Sequence, residues 1–250
     1  MSIENETASE PWLVPEDLSL HSDPGPRSNN EDSCDYYLSP DGRALVVVLA
    51  DGMGGHASGE IASSLAVQVL LEVFRQNGFD KPAEYLSFGI LKAHETILSA
   101  ARENPAQSGM GCTVVAAVIQ PGIVSVGNVG DSRGYQFAEE HVRRLTRDHL
   151  YVCEKMGIPE NKAKHHRQGH VLSQALGHDG PVRPEVDSFD LASDDTILLC
   201  SDGVSEFVTE ATMSKLLVGR GIDRGSKRLV DAALEAGTSD NCTAAAIRIP

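Results

Sequence analysis

A chain of 250 residues, 41% hydrophobic and 23% charged, is long enough to bury one sizeable core and too ordinary in composition for wholesale disorder. Its 21 Lys and Arg against 36 Asp and Glu leave a net charge of −15, which repels phosphate backbones and argues against nucleic-acid binding. No apolar run reaches the ~20 residues that span a membrane. The N-terminus MSIENETASEPW has acids where a signal peptide needs a basic start and an apolar middle. The five cysteines (Cys34, Cys112, Cys153, Cys200 and Cys242) are scattered without a CxxC spacing. That pattern fits reduced thiols in a cytoplasmic protein better than a disulfide framework or a zinc site.

Residues 1–22 are acidic and unpatterned and read as an N-terminal arm. Residues 34–39 and 44–50 read as strands joined by the turn Pro40-Asp41-Gly42; the second is apolar on both faces, so it is central in its sheet. Ile61, Leu65, Val69 and Val73 repeat every four residues and predict a helix over 58–77, with Ser58 as its cap and Asn77-Gly78 as its stop. A second helix is predicted over 83–102. Strands follow at 112–119, 123–129, 133–138 and 141–145, spaced as an antiparallel meander. Residues 147–180 are polar, His-rich and weakly helical, an excursion from the core. Strands resume at 185–190 and 195–200, a helix covers 226–236 up to Gly237, and a strand at 242–249 closes the chain. Helices segregated from antiparallel strands mean an α+β fold.

One pattern recurs. A buried apolar strand runs into an Asp and then a small residue, at Asp51-Gly52, Asp131-Ser132 and Asp202-Gly203, and a variant, Asp240-Asn241, precedes the last strand. A strand end is a rigid mount, and Gly lets other groups approach the backbone closely. Such carboxylates meeting at one sheet edge make an all-oxygen site suited to Mg²⁺ or Mn²⁺. Each Asp-Gly alone also reads as an ordinary turn. Arg27 is the lone Lys or Arg among the eight acids of residues 1–32; it reads either as a surface ion pair or as a guanidinium fork for an oxyanion such as phosphate. His166 and His170 stand at i,i+4 like zinc ligands, but no HExxH glutamate accompanies them.

Eight motifs stand in order: Gly25-Pro26-Arg27-Ser28-Asn29-Asn30-Glu31-Asp32, Asp51-Gly52-Met53-Gly54-Gly55-His56, Gly111-Cys112-Thr113, Val129-Gly130-Asp131-Ser132-Arg133, Leu145-Thr146-Arg147-Asp148-His149, Leu172 to Gly177, Ser201-Asp202-Gly203 and Ser239 to Thr243. In these the chain resembles the metal-dependent type 2C serine/threonine protein phosphatases (the PPM family), most of all the compact bacterial type, from about Ser22 to Ile249. The resemblance implies a single domain over 23–250: a β-sandwich of two antiparallel sheets with helices on both outer faces and a flap at 147–175. It implies two Mn²⁺ or Mg²⁺ ions. Asp51 would bridge them and the Gly52 carbonyl would bind one; Asp202 and Asp240 would bind the other. Glu31 and Asp32 form an acidic pair beside them, and Asp131 is tied to a third, weaker ion. Arg27 would hold the substrate phosphate, and His56 stands near the leaving group. The flap departs from the family pattern, reading His165-His166-Arg167-Gln168-Gly169-His170.

The reaction so implied is hydrolysis of phosphoserine and phosphothreonine in proteins by a metal-activated water, opposing a bacterial Ser/Thr kinase, by a monomer. The alternatives are a catalytically weak phosphoprotein-binding regulator and a phosphatase dedicated to one regulatory protein. Asp131 has a second reading too, as a turn residue paired with Arg133.

Overall fold

The computed structural model describes residues 11–53, 57–138, 141–163 and 165–250, with Ala57 described by its backbone alone. In chain order its strands are β1 (Leu18–Asp23), β2 (Asp32–Leu38), β3 (Leu45–Met53), β4 (Gly111–Cys112), β5 (Val114–Gln120), β6 (Ile123–Val129), β7 (Arg133–Phe137), β8 (Val142–Arg144), β9 (Glu185–Asp190), β10 (Thr196–Cys200) and β11 (Cys242–Arg248). The helices are α1 (Ala57–Asn77), α2 (Pro82–Glu103), α3 (Tyr151–Met156), α4 (Glu160–Ala163), α5 (Asp202–Ser205), α6 (Glu210–Leu217) and α7 (Gly225–Glu235).

The strands form two antiparallel sheets. One runs β1-β11-β10-β7-β8 and the other β2-β3-β5-β6-β9, with β4 paired to β3. Alternation of side chains along the strands builds three apolar layers from these sheets. Leu45, Val47 and Leu49 point inward from β3 to meet Ile197, Leu199, Ala245 and Ile247 between the sheets. Their neighbours Val46, Val48 and Ala50 point the other way, onto Ala62, Ala66 and Leu70 of α1 and Ile90 of α2. On the far side, Leu198, Cys200, Ala244 and Ala246 meet Met213 of α6 and Leu229, Val230 and Ala233 of α7. Each fully buried Leu, Ile or Val contributes roughly 1.5–3 kcal/mol, so these three layers hold the sandwich together. The α+β reading and the helix–sheet–sheet–helix architecture are both borne out.

The expected elements from 34 onward reappear, most with shifted ends, and 123–129 and 185–190 are reproduced without change. Three differences are informative. The arm expected through residue 22 is shorter, because Leu18–Asp23 pairs along its whole length with β11. Leu18 and Leu20 pack into the layer between the sheets, while Ser19, between them, accepts two hydrogen bonds from Ser226 of α7; the surrounding acids hide this short alternation. Helix α6 was not expected. It is short, and it rests on the Thr209 cap and on Met213 and Leu217. Ser58 is not the cap of α1: it lies one residue inside the helix and donates to the Ala106 carbonyl. All five cysteines are free thiols, and among the described residues no helix is long and apolar enough to cross a membrane.

Candidate active site

The predicted carboxylates come from different elements and from both sheets. Asp32 opens β2 and Asp51 lies near the end of β3, where the register sets them directly opposite one another. Asp131 follows β6 at the crossing from one sheet to the other; Asp202 begins α5 directly after β10, and Asp240 stands two residues before β11. With Arg27, Glu31 and Gly52, four of them (Asp51, Asp131, Asp202 and Asp240) line one cleft of about 1090 Å³. Asp32, opposite Asp51 in the register, accepts from Ser201 Oγ at 2.9 Å through its Oδ2.

Close backbone approach makes this convergence possible. A Cβ on Gly52 would lie 2.3 Å from the Gly59 carbonyl oxygen and 2.5 Å from that of Glu31. The Gly52 N–H donates to that same Glu31 carbonyl at 3.1 Å. A Cβ on Gly203 would lie 2.0 Å from the Asn241 carbonyl oxygen. The two Asp-Gly pairs are therefore more than turns, since glycine there lets three segments of backbone meet behind the carboxylates.

The site also uses residues that the sequence reading quoted within motifs but gave no role. Thr113 Oγ1 accepts from the Asp51 N–H at 3.2 Å and shares a 2.7 Å hydrogen bond with Ser132 Oγ, so one hydroxyl links the Asp51 strand to the Asp131 turn. Asn241 accepts from the Glu31 N–H and donates to the Pro24 and Asn29 carbonyls. It thus holds the Arg27–Asp32 loop against the Asp240 segment. Their signal in the sequence is position alone, each inside a motif and within two residues of its Asp or Gly.

Electrostatically the cluster is a cation trap. Burial, then the carboxylates of Asp32, Asp202, Asp131 and Asp240, push Asp51 well above the usual carboxylate range. Asp131 is raised to about 8, chiefly by burial and then by Asp202 and Asp148. Burial raises Asp32 to about 7. Burial, then Asp240, raises Asp202 to about 6, and Asp202 is close enough to Asp51 to share a proton with it. Asp32 Oδ1 and Asp202 Oδ1 are buried with no hydrogen-bond partner among the described residues. Buried carboxylate oxygens without donors are costly unless a cation meets them, so the donor set fits hard divalent ions. Among the described residues no group of three His, Cys, Asp or Glu side chains is arranged to hold one ion.

Arg27 lies against this cluster. Its Nη2 donates to Asp240 Oδ2 and its Nε to the Ser239 carbonyl, both at 2.8 Å. Asp131 is not paired with Arg133, as its turn reading had it. Arg133 instead forms a two-pronged ion pair with buried Asp148, at 2.7 and 3.1 Å. His56 lies outside the described residues. His166 is half-buried, with Nδ1 accepting from the Gln168 N–H, and His170 lines the cleft.

Comparison with known proteins agrees with this geometry. The family described as Protein phosphatase 2C matches residues 26–236. The chain is 36% identical over 227 residues to the serine/threonine phosphatase stp of Listeria innocua, covering 87% of this chain and 89% of that one. Among solved structures, serine/threonine phosphatase Stp1 from Staphylococcus aureus aligns with a TM-score of 0.85 at 29% identity, over 96% of this chain and 97% of that one. The catalytic domain of the phosphatase PstP, in complex with two manganese ions, aligns with a TM-score of 0.78 at 30% identity, over 93% and 98%. Sandwich, carboxylate cluster and near full-length similarity converge: the chain belongs to the protein phosphatase 2C family and is a serine/threonine protein phosphatase.

Proposed function

We propose that the chain hydrolyses phosphoserine and phosphothreonine in proteins with two Mn²⁺ or Mg²⁺ ions held by Asp51, the Gly52 carbonyl, Asp202 and Asp240. Glu31 and Asp32 stand beside them, and a third, weaker ion sits at Asp131. The observation that carries this reading is the pair of orphaned buried oxygens, Asp32 Oδ1 and Asp202 Oδ1, within a cluster of carboxylates that raise one another's pKa. When bound, such cations supply Lewis-acid activation of a water and neutralise phosphoryl charge.

The chain's own groups do the rest. Among the described residues Arg27 Nη1 makes no hydrogen bond, while Nε and Nη2 hold Ser239 and Asp240. That edge of the guanidinium is the one offered to a phosphate oxygen. Water adds to phosphorus in line with the seryl or threonyl oxygen, the ester P–O bond breaks, and inorganic phosphate leaves. The departing oxygen takes a proton, for which His56 is the candidate donor on its motif position. A cleft of about 1090 Å³ exceeds the roughly 300–1,000 Å³ of small-molecule pockets. It suits a phosphorylated loop of a protein better than a metabolite.

The physiological setting proposed is the cytoplasm of a bacterium, where a monomeric enzyme opposes a Ser/Thr kinase or acts on that kinase's targets. Catalytically inert regulation is the weaker reading, because Asp51, Asp202 and Asp240 are all present. The test is Mn²⁺ calorimetry on chelator-treated protein, paired with phosphate release from a phosphothreonine peptide. Binding of two or more ions is expected, with activity restored in step. Asp51→Asn is expected to lose several orders of magnitude in turnover. Full activity after exhaustive chelation would overturn the proposal.

A further inference from the structure

His149 is 1% exposed and has no role in the reaction as described, yet nearly every polar contact it makes leads to the site. Its Nδ1 accepts from the Gly130 N–H at 3.1 Å, and its own N–H donates to the Gly130 carbonyl at 2.9 Å. Both backbone polar groups of the residue before Asp131 are therefore satisfied by one histidine. On its other side, the His149 carbonyl accepts from the Ser173 N–H at 2.8 Å, and Gln174 Nε2 reaches Nδ1 at 3.0 Å. Gln174 in turn holds Arg183 by its N–H and its carbonyl, and residues 173, 174 and 183 line the cleft. The preceding residue, Asp148, grips Arg133 on the far side of Asp131-Ser132.

The Asp131 turn is thus held from both ends by adjacent residues of the Leu145–His149 motif, while among the described residues no side chain bonds the Asp131 carboxylate itself. Two N–H donors converge on Nδ1, so that nitrogen is unprotonated and the ring proton sits on Nε2. Nε2 has no hydrogen-bond partner among the described residues; its charged neighbour, Glu185 Oε1, lies 3.6 Å away. This is the arrangement of a fixed acceptor rather than of a proton donor to substrate.

We infer that His149 is a positioning residue, which orients the Asp131 carboxylate toward its cation through Gly130 and ties that orientation to the root of the 147–175 segment. The inference rests on the reading of Asp131 as a cation ligand in the proposed function. The test compares His149→Asn, whose side-chain oxygen can occupy the Nδ1 position, with His149→Gln, whose amide lies further out. Asp131→Ala and the double variant Asp131→Ala/His149→Gln complete the set. Each is assayed on a phosphothreonine peptide, by Mn²⁺ calorimetry and by thermal midpoint.

His149→Gln is expected to lower kcat by about 10–100-fold at unchanged KM, the range seen when a group that orients a ligand is lost. The weakest Mn²⁺ binding step should weaken with it and the tight steps should stay. His149→Asn should remain close to wild type. The double variant should be no slower than Asp131→Ala alone, because both changes remove one function. Equal turnover for the Asn and Gln variants, or losses that add in the double variant, would overturn the inference. Wild-type turnover in Asp131→Ala would instead overturn the reading of Asp131 itself. A measurement free of substitutions stands beside these: long-range ¹H–¹⁵N NMR of the wild-type chain with Mg²⁺ should show His149 protonated at Nε2 only. A proton on Nδ1 would refute the role even if no variant folds.

Discussion

Arg27 and Asp240 form a 2.8 Å ion pair beside the cleft that both line, and both side chains are exposed. An exposed pair of this kind adds little to stability. It does place a guanidinium beside a candidate cation ligand, with Nη1 turned to neither Asp240 nor Ser239. Arg27→Ala is accordingly expected to raise KM for phosphopeptides by about tenfold, the scale of one lost charge-assisted hydrogen bond, with a smaller change in kcat. Arg27→Lys should not restore KM, since an ammonium cannot hold Ser239, Asp240 and phosphate as a fork. Steady-state kinetics of the two variants decide this, and an unchanged KM in Arg27→Ala removes the phosphate-binding role.

The carboxylate cluster gives the metal-free protein a pH dependence of predictable sign. Asp32 is raised to about 7 and Asp131 to about 8 from an ordinary 3.8. The folded state therefore holds protons that the unfolded state has already released. Stability contributed in this way is fully present below the unfolded value and is lost as pH rises through the folded ones. The thermal midpoint of chelated protein should fall between about pH 6.5 and 8.5, a window above the titration of the unfolded histidines. Asp131→Asn should flatten the slope, and Mn²⁺ should raise the midpoint more at the alkaline end. A midpoint that is flat or rising across this window would contradict the proton-holding cluster.

Gly203→Ala should be among the more damaging single changes near the site. Its Cβ would sit 2.0 Å from the Asn241 carbonyl oxygen, so the segments carrying Asp202 and Asp240 must part. A loss of about 1–3 kcal/mol is expected from such overpacking, together with weaker Mn²⁺ binding. Chemical denaturation and calorimetry would report both, and wild-type values in each would mean that the backbone relaxes freely.

His56 is tested through the leaving group. His56→Ala should slow release of phosphate from a phosphothreonine peptide far more than from an aryl phosphate, because a phenolate departs without a proton and an alkoxide does not. Equal slowing of both substrates assigns His56 some other task.

Much of this architecture is legible in the chain. The period-four repeat Ile61, Leu65, Val69, Val73 places α1, and the unbroken apolar run 45–50 marks β3 as an interior strand. Both patterns arise because each element must bury a face of its own. The strand-end aspartates were visible for the same reason, as a polar residue directly after a buried run. Less legible were β1, whose Leu18 and Leu20 matter only once β11 lies beside them, and α6, too short to show its period.

By itself, then, the sequence determined most of the element order and which carboxylates stand at strand ends, since these follow from local periodicity and composition. It also carried the family resemblance in motifs spread over the whole chain. Only the tertiary structure decided which side chains answer one another. The register set Asp32 opposite Asp51, Arg133 chose Asp148 over its neighbour Asp131, and His149 closed on Gly130 from 19 residues away. Such partnerships depend on how two sheets stack and where a long excursion returns. Pairing between residues distant in sequence is set by packing of the whole and leaves no period to read.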